Sequence, residues 1–221
     1  MKKLMKKLIL TLIFCLVCSI ASAGMMENLA AVAKKKVAPG GITYLIDEDF
    51  EGTGTPSGWA TSGTITFDYD NGGDTSLQIN SNYALATTPD FSTGTNTTIH
   101  FYFTLTLPTL AANTLVHIYN TSNVEQLQIL WSGAAGNVLD FRPHGGAVGC
   151  NTAITTSKQY VWVDLPIGDG TMEIFVSTSA TKPGTASDSV SVTNILAPTY
   201  MTFTRTSTAA PVFGGLQVWA D

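Results

Sequence analysis

The sequence predicts an all-β fold, namely an antiparallel β-sandwich with jelly-roll topology and about twelve strands. From residue 42 onward, threonine and serine supply 45 of the 180 residues, whereas lysine occurs twice and glutamate four times. This composition favours strands and turns over helices. Many short segments also alternate apolar and polar residues at a period of two, and clusters of glycine, asparagine and aspartate separate them.

Twelve strands are predicted from this alternation. Turn motifs such as NGGD at 71–74 and GDG at 168–170 separate several of them. In chain order, the predicted strands are 44–51, 64–69, 76–79, 83–86, 99–105, 115–119, 126–131, 137–142, 159–165, 172–177, 200–205 and 216–219.

The N-terminal segment, 1–23, has the features of a secretory signal peptide. Four lysines precede an apolar run at 8–20, and the sequence ASA at 21–23 fits the small-x-small cleavage pattern. The mature chain is therefore expected to begin at Gly24 and to be secreted, periplasmic or displayed at the cell surface. No later segment reaches about 18 apolar residues, so no membrane span is predicted.

Residues 24–41 are expected to form a flexible linker, and residues 42–221 a single domain. Cys150 is the only cysteine after the signal peptide, which leaves no partner for an internal disulfide. From residue 42 the chain carries four basic and fifteen acidic residues, a net charge of −11. So few cations cannot neutralise many phosphates, which argues against nucleic-acid binding, whereas the acidic surface would attract cations such as calcium.

Two parts of the domain resemble secreted carbohydrate-binding jelly rolls. Residues 47–52 are DEDFEG and residues 56–59 are PSGW, similar to the opening strand of such modules. Residues 160–164 (YVWVD) and 168–176 (GDGTMEIFV) resemble the paired central strands of concanavalin A-like lectin and glucanase domains, also called laminin-G-like domains. The resemblance implies a concanavalin A-like sandwich and a carbohydrate-binding function.

Carboxylates near the start of the domain form a candidate metal site. Calcium binds six to eight hard oxygens from carboxylates, carbonyls and water. Asp49 and Glu51 offer such oxygens, and so do Asp70 and Asp74 in the glycine-rich loop at 68–74. These four residues are the predicted ligands of a structural Ca²⁺ ion. The alternative is an acidic hairpin tip that only keeps the domain soluble.

The same strand raises the question of catalysis. Asp47, Asp49 and Glu51 lie at a period of two, so a strand would place them on one side, similar to the Glu-x-Asp-x-Glu strand of concanavalin-like glucanases. However, the first position is aspartate and the segment opens the domain, which favours a solvated or metal-binding strand. The sequence therefore predicts a protein that is not an enzyme, with glycoside hydrolase or lyase activity as the residual alternative.

The alternation also predicts which side chains face away from the core. Sugars bind flat apolar rings beside planar polar groups, and strands at 99–107, 126–131, 139–142 and 159–165 offer both on their outward side. The predicted ligand-binding residues are Tyr102, Gln126, Gln128, Asp140, Arg142, Tyr160, Trp162 and Asp164. The interpretation is an exported binding module for a polysaccharide or other glycan. A structural or adhesive surface protein without glycan binding is the main alternative.

Overall fold

The computed structural model describes residues 42–52, 54–108, 113–132, 137–144 and 149–221. The predicted signal peptide and linker lie outside these residues. The described residues belong to one compact unit and contain fifteen strands and no helix. Accordingly, this part of the chain holds no helix long and apolar enough to cross a membrane.

Eight strands form the first sheet, in which every pairing is antiparallel: β1 (Tyr44–Glu48), β3 (Ile65–Thr66), β4 (Leu77–Ile79), β6 (Thr98–Thr106), β11 (Gln159–Pro166), β12 (Gly168–Ser177), β13 (Asp188–Ile195) and β15 (Val212–Ala220). Their order is β13-β12-β11-β6-β15-β4-β3, and β1 pairs with β15 as well. β1 and β4 share one side of β15, because β1 pairs with its C-terminal half and β4 with its first residues.

The second sheet has seven strands and is also antiparallel: β2 (Ala60–Ser62), β5 (Leu85–Thr87), β7 (Asn113–Asn120), β8 (Glu125–Ser132), β9 (Val138–Pro143), β10 (Cys150–Ala153) and β14 (Pro198–Thr204). Their order is β10-β9-β8-β7-β14-β5-β2.

The core lies between the two sheets, as the alternation predicts. On β6, Phe101, Phe103 and Leu105 are all at most 1% exposed. Phe213 of β15 and Phe203 of β14 join the two sheets directly, with ring centroids 4.9 Å apart in an edge-to-face contact. Each fully buried side chain of this size stabilises the fold by about 1.5–3 kcal/mol. The all-β sandwich is therefore confirmed.

All twelve predicted strands occur, but the count of about twelve is too low. The structure adds β2, β10 and β13, and each of them lies at the edge of a sheet. β2 is three residues long and fully exposed, and β10 has four residues of which only Cys150 is buried. β13 has eight residues, of which only Val192 and Ile195 are buried. Edge strands pair on one side only, and these three bury few residues, so their apolar signal is weak.

Two β-bulges interrupt the ladders where the candidate sites lie. In β15 the register against β6 shifts between Gly214 and Gln217, and Gly215 within this bulge has φ +58°. Between β7 and β8 the register shifts near Gln126. A bulge re-aims the side chains next to it, and both shifts change which residues face outward.

The edges of the two sheets meet on one side of the sandwich. Asp188 at the start of β13 accepts a hydrogen bond through Oδ2 from the backbone N–H of Asn151 in β10, at 2.8 Å. Its Oδ1 accepts another from the N–H of Ser189 at 2.8 Å. One carboxylate therefore links the edge strand of one sheet to the edge strand of the other.

Candidate functional site

The eight side chains predicted to bind a ligand do not share one surface. Those on β6 and β11 belong to the eight-stranded sheet and point away from the core: Tyr102, Tyr160, Trp162 and Asp164. The outward residues on β8 and β9 belong to the seven-stranded sheet: Gln128, Asp140 and Arg142. The expectation that Arg142 or Gln128 lies beside Trp162 is therefore wrong, because the two groups lie on opposite sides of the sandwich.

Gln126 is not on the surface at all. Its side chain is 0% exposed, its Nε2 donates to the carbonyl of Val124 at 2.9 Å, and its Oε1 accepts from the N–H of Leu196 at 2.7 Å. The register shift between β7 and β8 falls at this residue, so the simple alternation ends one residue before Leu127. Gln126 is thus a structural residue, and its hydrogen bond with Leu196 holds the segment before β14 in place.

Trp162 faces outward as predicted, but it is only 6% exposed. The rings of Tyr102 and Tyr160 lie 5.3 Å and 6.3 Å from its ring, measured between centroids. Phe175 of β12 is its cross-strand neighbour on the other side, and the ammonium of Lys182 lies 4.1 Å above the Phe175 ring. Neighbouring side chains therefore cover Trp162, and the prediction that it offers an exposed stacking surface is wrong.

Asp164 is held in a cluster of charged groups. His100 Nδ1 lies 2.7 Å from Asp164 Oδ1, His100 Nε2 lies 3.0 Å from Asp221 Oδ1, and Lys182 Nζ lies 2.6 Å from Asp164 Oδ2. Burial opposes the charged form of His100, but its hydrogen bonds to the two carboxylates outweigh burial and raise its pKa. Burial also opposes ionisation of Asp164, yet the hydrogen bonds from His100 and Lys182 lower its pKa. These four groups already satisfy one another.

A cleft of about 400 Å³ opens on this same face, next to the β15 bulge. We call it the glycine-bulge cleft. Six side chains with ionisable groups line it: Asp49, Glu51, Asp74, Tyr102, Lys158 and Tyr160. Burial, together with the nearby Tyr160 and Asp74, raises the pKa of Tyr102 to about 12, so its hydroxyl keeps its proton and can donate a hydrogen bond. This cleft brings together three of the four predicted calcium ligands.

The calcium site predicted from the carboxylates of this region is not confirmed. Within the described residues there is no group of three or more His, Cys, Asp or Glu side chains that could hold a metal ion. Asp49 Oδ1 accepts the N–H of Glu51, Asp70 Oδ1 accepts the N–H of Gly73, and Asp74 Oδ2 pairs with Lys158. Three of the four predicted ligands thus have at least one oxygen engaged within the chain.

A second cleft, of about 490 Å³, lies on the outward face of the seven-stranded sheet. We call it the tyrosine cleft. Its lining includes the side chains of Thr87, His117, Tyr119, Tyr200, Thr202 and Thr204. The rings of Tyr119 and Tyr200 stack with centroids 5.0 Å apart and an interplanar angle of 18°. The His117 ring also stacks with Tyr119, at 5.8 Å between centroids and 18° between planes, and His117 Nδ1 pairs with Glu125. Three aromatic or imidazole rings with small interplanar angles therefore line the cleft.

Strand pairing extends this cleft into a polar row that crosses five strands. The residues are aligned by cross-strand register and run from β5 through β14, β7 and β8 to β9: Thr87, Thr202, His117, Gln128 and Arg142. Because neighbouring strands lie about 4.8 Å apart, the row spans roughly 19 Å. Two predicted ligand residues, Gln128 and Arg142, thus belong to this row. Arg142 also donates from Nε to Asp140 Oδ2 at 2.7 Å.

One group in the tyrosine cleft lacks a partner. Thr202 is 5% exposed, and its Oγ1 is buried without a hydrogen bond. The neighbouring Thr204 on the same face is similarly buried, but its Oγ1 donates to the carbonyl of Ala84 at 3.1 Å. A buried hydroxyl without a partner is costly, commonly by about 1–3 kcal/mol. Because the Oγ1 atom itself is buried, a ligand in the cleft does not reach it in this arrangement.

The ring residues of this cleft are not among the residues predicted to bind a ligand. The signal was present, because Val116 and Ile118 at inward positions of the predicted strand 115–119 leave His117 and Tyr119 outward. Tyr200 begins a predicted strand in which Met201 and Phe203 are buried. What alternation does not show is that β7 and β14 are neighbours, because 80 residues separate Tyr119 from Tyr200.

No family model matches this sequence, and no curated protein matches it. Solved structures do share its fold. The cellulose-induced protein Cip1 superposes with a TM-score of 0.58 at 16% sequence identity, over 80% of this chain and 97% of that protein. The exoplasmic/lumenal domain of VIP36, in its form bound to Ca²⁺ and Man2, gives a TM-score of 0.52 at 7% identity, over 80% and 87% of the two chains.

A glycosyl hydrolase family 16 protein from Mycobacterium smegmatis is a further structure of this shape. Its TM-score is 0.52 at 12% identity, and the match covers 80% of this chain and 100% of that one. At such low identity the similarity concerns the fold alone. The chain therefore shares the β-sandwich fold of these three proteins, in agreement with the resemblance of its sequence motifs.

Proposed function

We propose that this protein is an exported, non-catalytic carbohydrate-binding module, and that it binds its glycan in the tyrosine cleft. The observation that carries the proposal is the stack of the half-buried Tyr119 and Tyr200 rings at an open cleft with a polar lining. The two rings offer flat apolar surface to the C–H face of a sugar, and the threonine and histidine side chains of the lining are polar.

The polar row supports binding of an extended chain rather than a single sugar. It places a hydroxyl, an imidazole, an amide and a guanidinium at successive strand positions, with Gln128 and Arg142 at its far end. These planar groups can orient successive sugar hydroxyls. Of the related folds, VIP36 has been solved with Man2 bound, which is consistent with a saccharide ligand on such a sandwich.

The composition of the cleft favours binding over hydrolysis. Glycoside hydrolysis needs two carboxyl groups on either side of the scissile bond, about 5–5.5 Å apart in retaining enzymes. Among the residues that the structure describes, none that line the tyrosine cleft is a carboxylate. The nearby Glu125 is already paired with His117. The cleft can therefore hold a saccharide without supplying an acid and a nucleophile.

A glycan array probed with the full-length protein tests the proposal. The expected result is binding to one class of polysaccharide, and Tyr200→Ala should weaken that binding by about tenfold or more, which corresponds to about 1.4 kcal/mol. Tyr44→Ala is the matched control, since Tyr44 is a half-buried tyrosine on the other sheet. A blank array with self-assembly would indicate a structural or adhesive protein instead, and release of reducing sugar would indicate a hydrolase.

Export is the second part of the proposal, and it depends on the signal-peptide features of residues 1–23. The secreted form should begin at Gly24, which intact mass or N-terminal sequencing would determine. A chain that keeps Met1 and stays inside the cell would contradict it.

A further inference from the structure

The glycine-bulge cleft is a second concave site, on the sheet opposite the tyrosine cleft. Two half-buried tyrosines on adjacent strands, Tyr102 of β6 and Tyr160 of β11, contribute their rings to it. Three carboxylates and one ammonium group line the rest. The cleft thus combines aromatic surface with negative charge, whereas the tyrosine cleft combines aromatic surface with hydroxyl groups.

Backbone geometry keeps this cleft open. Gly215 has φ +58°, and a Cβ atom there would lie 3.6 Å from Cε1 of Tyr102. At Gly214 a Cβ atom would lie 2.8 Å from Thr104 Oγ1, which donates to the carbonyl of that glycine. Two consecutive glycines in a bulge therefore leave the ring of Tyr102 uncovered on this side. The bulge is the local feature that turns a strand surface into a cleft.

The chain itself places an ammonium group in this cleft. Lys158 Nζ pairs with Asp74 Oδ2 and lies 5.3 Å from the centroid of the Tyr160 ring. An ammonium near an aromatic face and beside a carboxylate is a favourable arrangement for a cation. Lys158 therefore shows that the cleft can hold an ammonium group. It already pairs with one of the three carboxylates.

The other two carboxylates keep a negative charge at the rim. Asp49 and Glu51 are both exposed, and among the described residues neither forms an ion pair with a lysine, arginine or histidine. With Asp74 neutralised by Lys158, the cleft carries a formal charge of −2, and it is lined by the hydroxyl-bearing side chains of Thr75 and Thr104 as well.

We propose that the glycine-bulge cleft is a second binding site, for an oligosaccharide that carries free primary amino groups. The ammonium group of the sugar pairs with Asp49 and Glu51, its ring lies against Tyr102 or Tyr160, and its hydroxyls bind the polar lining. The ligand is then cationic, which distinguishes this site from the tyrosine cleft. A basic peptide would satisfy the carboxylates too, but it would make little use of two ring faces beside hydroxyl groups.

The test compares a glucosamine oligomer with its fully N-acetylated counterpart and with tetralysine, by calorimetry on the full-length protein. The glucosamine oligomer should bind, and added salt should weaken binding because exposed charges are screened. The double variant Asp49→Asn/Glu51→Gln should lower its affinity by about tenfold or more. Glu173→Gln, an exposed carboxylate on the same sheet that lies outside the cleft, should leave the affinity unchanged.

Three outcomes would overturn the inference. Equal binding of the N-acetylated oligomer, with no effect of the double variant, would remove the role of charge. Binding of tetralysine as tight as that of the amino sugar would assign the cleft to a basic peptide. Absence of binding to the glucosamine oligomer would remove the site. Tyr200→Ala separates this test from the proposed function, because it alters only the opposite face.

Discussion

The outward faces of the two sheets differ in how far their own side chains satisfy one another. On the eight-stranded sheet, Trp162 and Phe175 are each 6% exposed, and Asp164 accepts from His100 and Lys182. On the seven-stranded sheet, by contrast, the Tyr119–Tyr200 stack borders an open cleft, and Thr202 Oγ1 has no partner.

The orientation of a side chain away from the core and its accessibility to a ligand are therefore separate properties. A side chain can point away from the core and still be covered, as Trp162 is, when long neighbours on adjacent strands lie over it. Another side chain can remain accessible to a ligand because its neighbours are threonines, which are short. Aromatic side chains are therefore better candidates for sugar binding where the neighbouring strands supply short residues.

Among the variants that test this difference between the two faces, Trp162→Ala should have the largest effect on stability. Since Trp162 is buried by Tyr102, Tyr160 and Phe175, its removal should lower the free energy of unfolding by about 3–5 kcal/mol, measured by denaturant titration. Tyr200→Ala, on the open face, should cost much less. Equal and small losses for both variants would show that Trp162 is exposed in solution and that the two faces do not differ.

The charged cluster of the eight-stranded sheet predicts a pH dependence. The pKa of His100 is raised above 6.5, so its contribution is complete below about pH 6.5 and is lost as the pH rises through the folded-state value. The pKa of Asp164 is lowered below 3.8, so its contribution is complete above about pH 3.8 and is lost as the pH falls further. The cluster should stabilise the fold most between these two limits.

His100→Asn measures this effect. At a pH between the two limits it should lower the free energy of unfolding by about 1.5–3 kcal/mol, the range for hydrogen bonds to charged groups. Well above the raised pKa of His100 the loss should be smaller. A loss that is independent of pH would mean that packing on Trp219, whose ring lies 5.0 Å away, accounts for the role of His100.

A matched pair on β14 tests the open face. Thr204→Val removes a hydroxyl that donates to Ala84, so it should lower stability by about 1 kcal/mol. Thr202→Val removes a buried hydroxyl that has no partner among the described residues, so it should leave stability unchanged or raise it slightly. Thermal unfolding of both variants gives the comparison, and equal losses would contradict the unpaired state of Thr202.

Calcium should have the smallest effect. Since Asp49, Asp70 and Asp74 already have partners within the chain, melting curves in excess calcium and in excess chelator should coincide. A ligand that binds only the folded state would raise the melting temperature by mass action. A higher melting temperature in calcium would therefore restore the predicted metal site.

The sequence was sufficient for the fold and for the inward face of most strands. Phe101, Phe103, Leu139 and Phe141 alternate with the residues predicted to face outward on their strands, and all four are buried, because the period-two pattern follows directly from strand geometry. It failed at Gln126, where a bulge breaks the period. Alternation assigns a residue to a face of its own strand and says nothing about which strands become neighbours.

That limit explains the outcome for the candidate site. The residues predicted to bind one ligand were drawn from four strands, and β6 and β11 joined one sheet while β8 and β9 joined the other. A different physical reason applies to the predicted calcium ligands. Acidic composition indicates that a cation is attracted, but turn hydrogen bonds and a lysine 84 residues away decide which oxygens remain free.

The contact between Asp188 and Asn151 bears on how the protein behaves at high concentration. An edge strand with unpaired N–H groups can pair with the edge of another copy and start an aggregate. Here one N–H of β10 already donates to the carboxylate of the opposing edge strand, and that carboxylate carries a negative charge. The link therefore occupies a hydrogen-bonding position and makes the edge repel a second copy that bears the same aspartate. The domain would gain protection from self-association in this way.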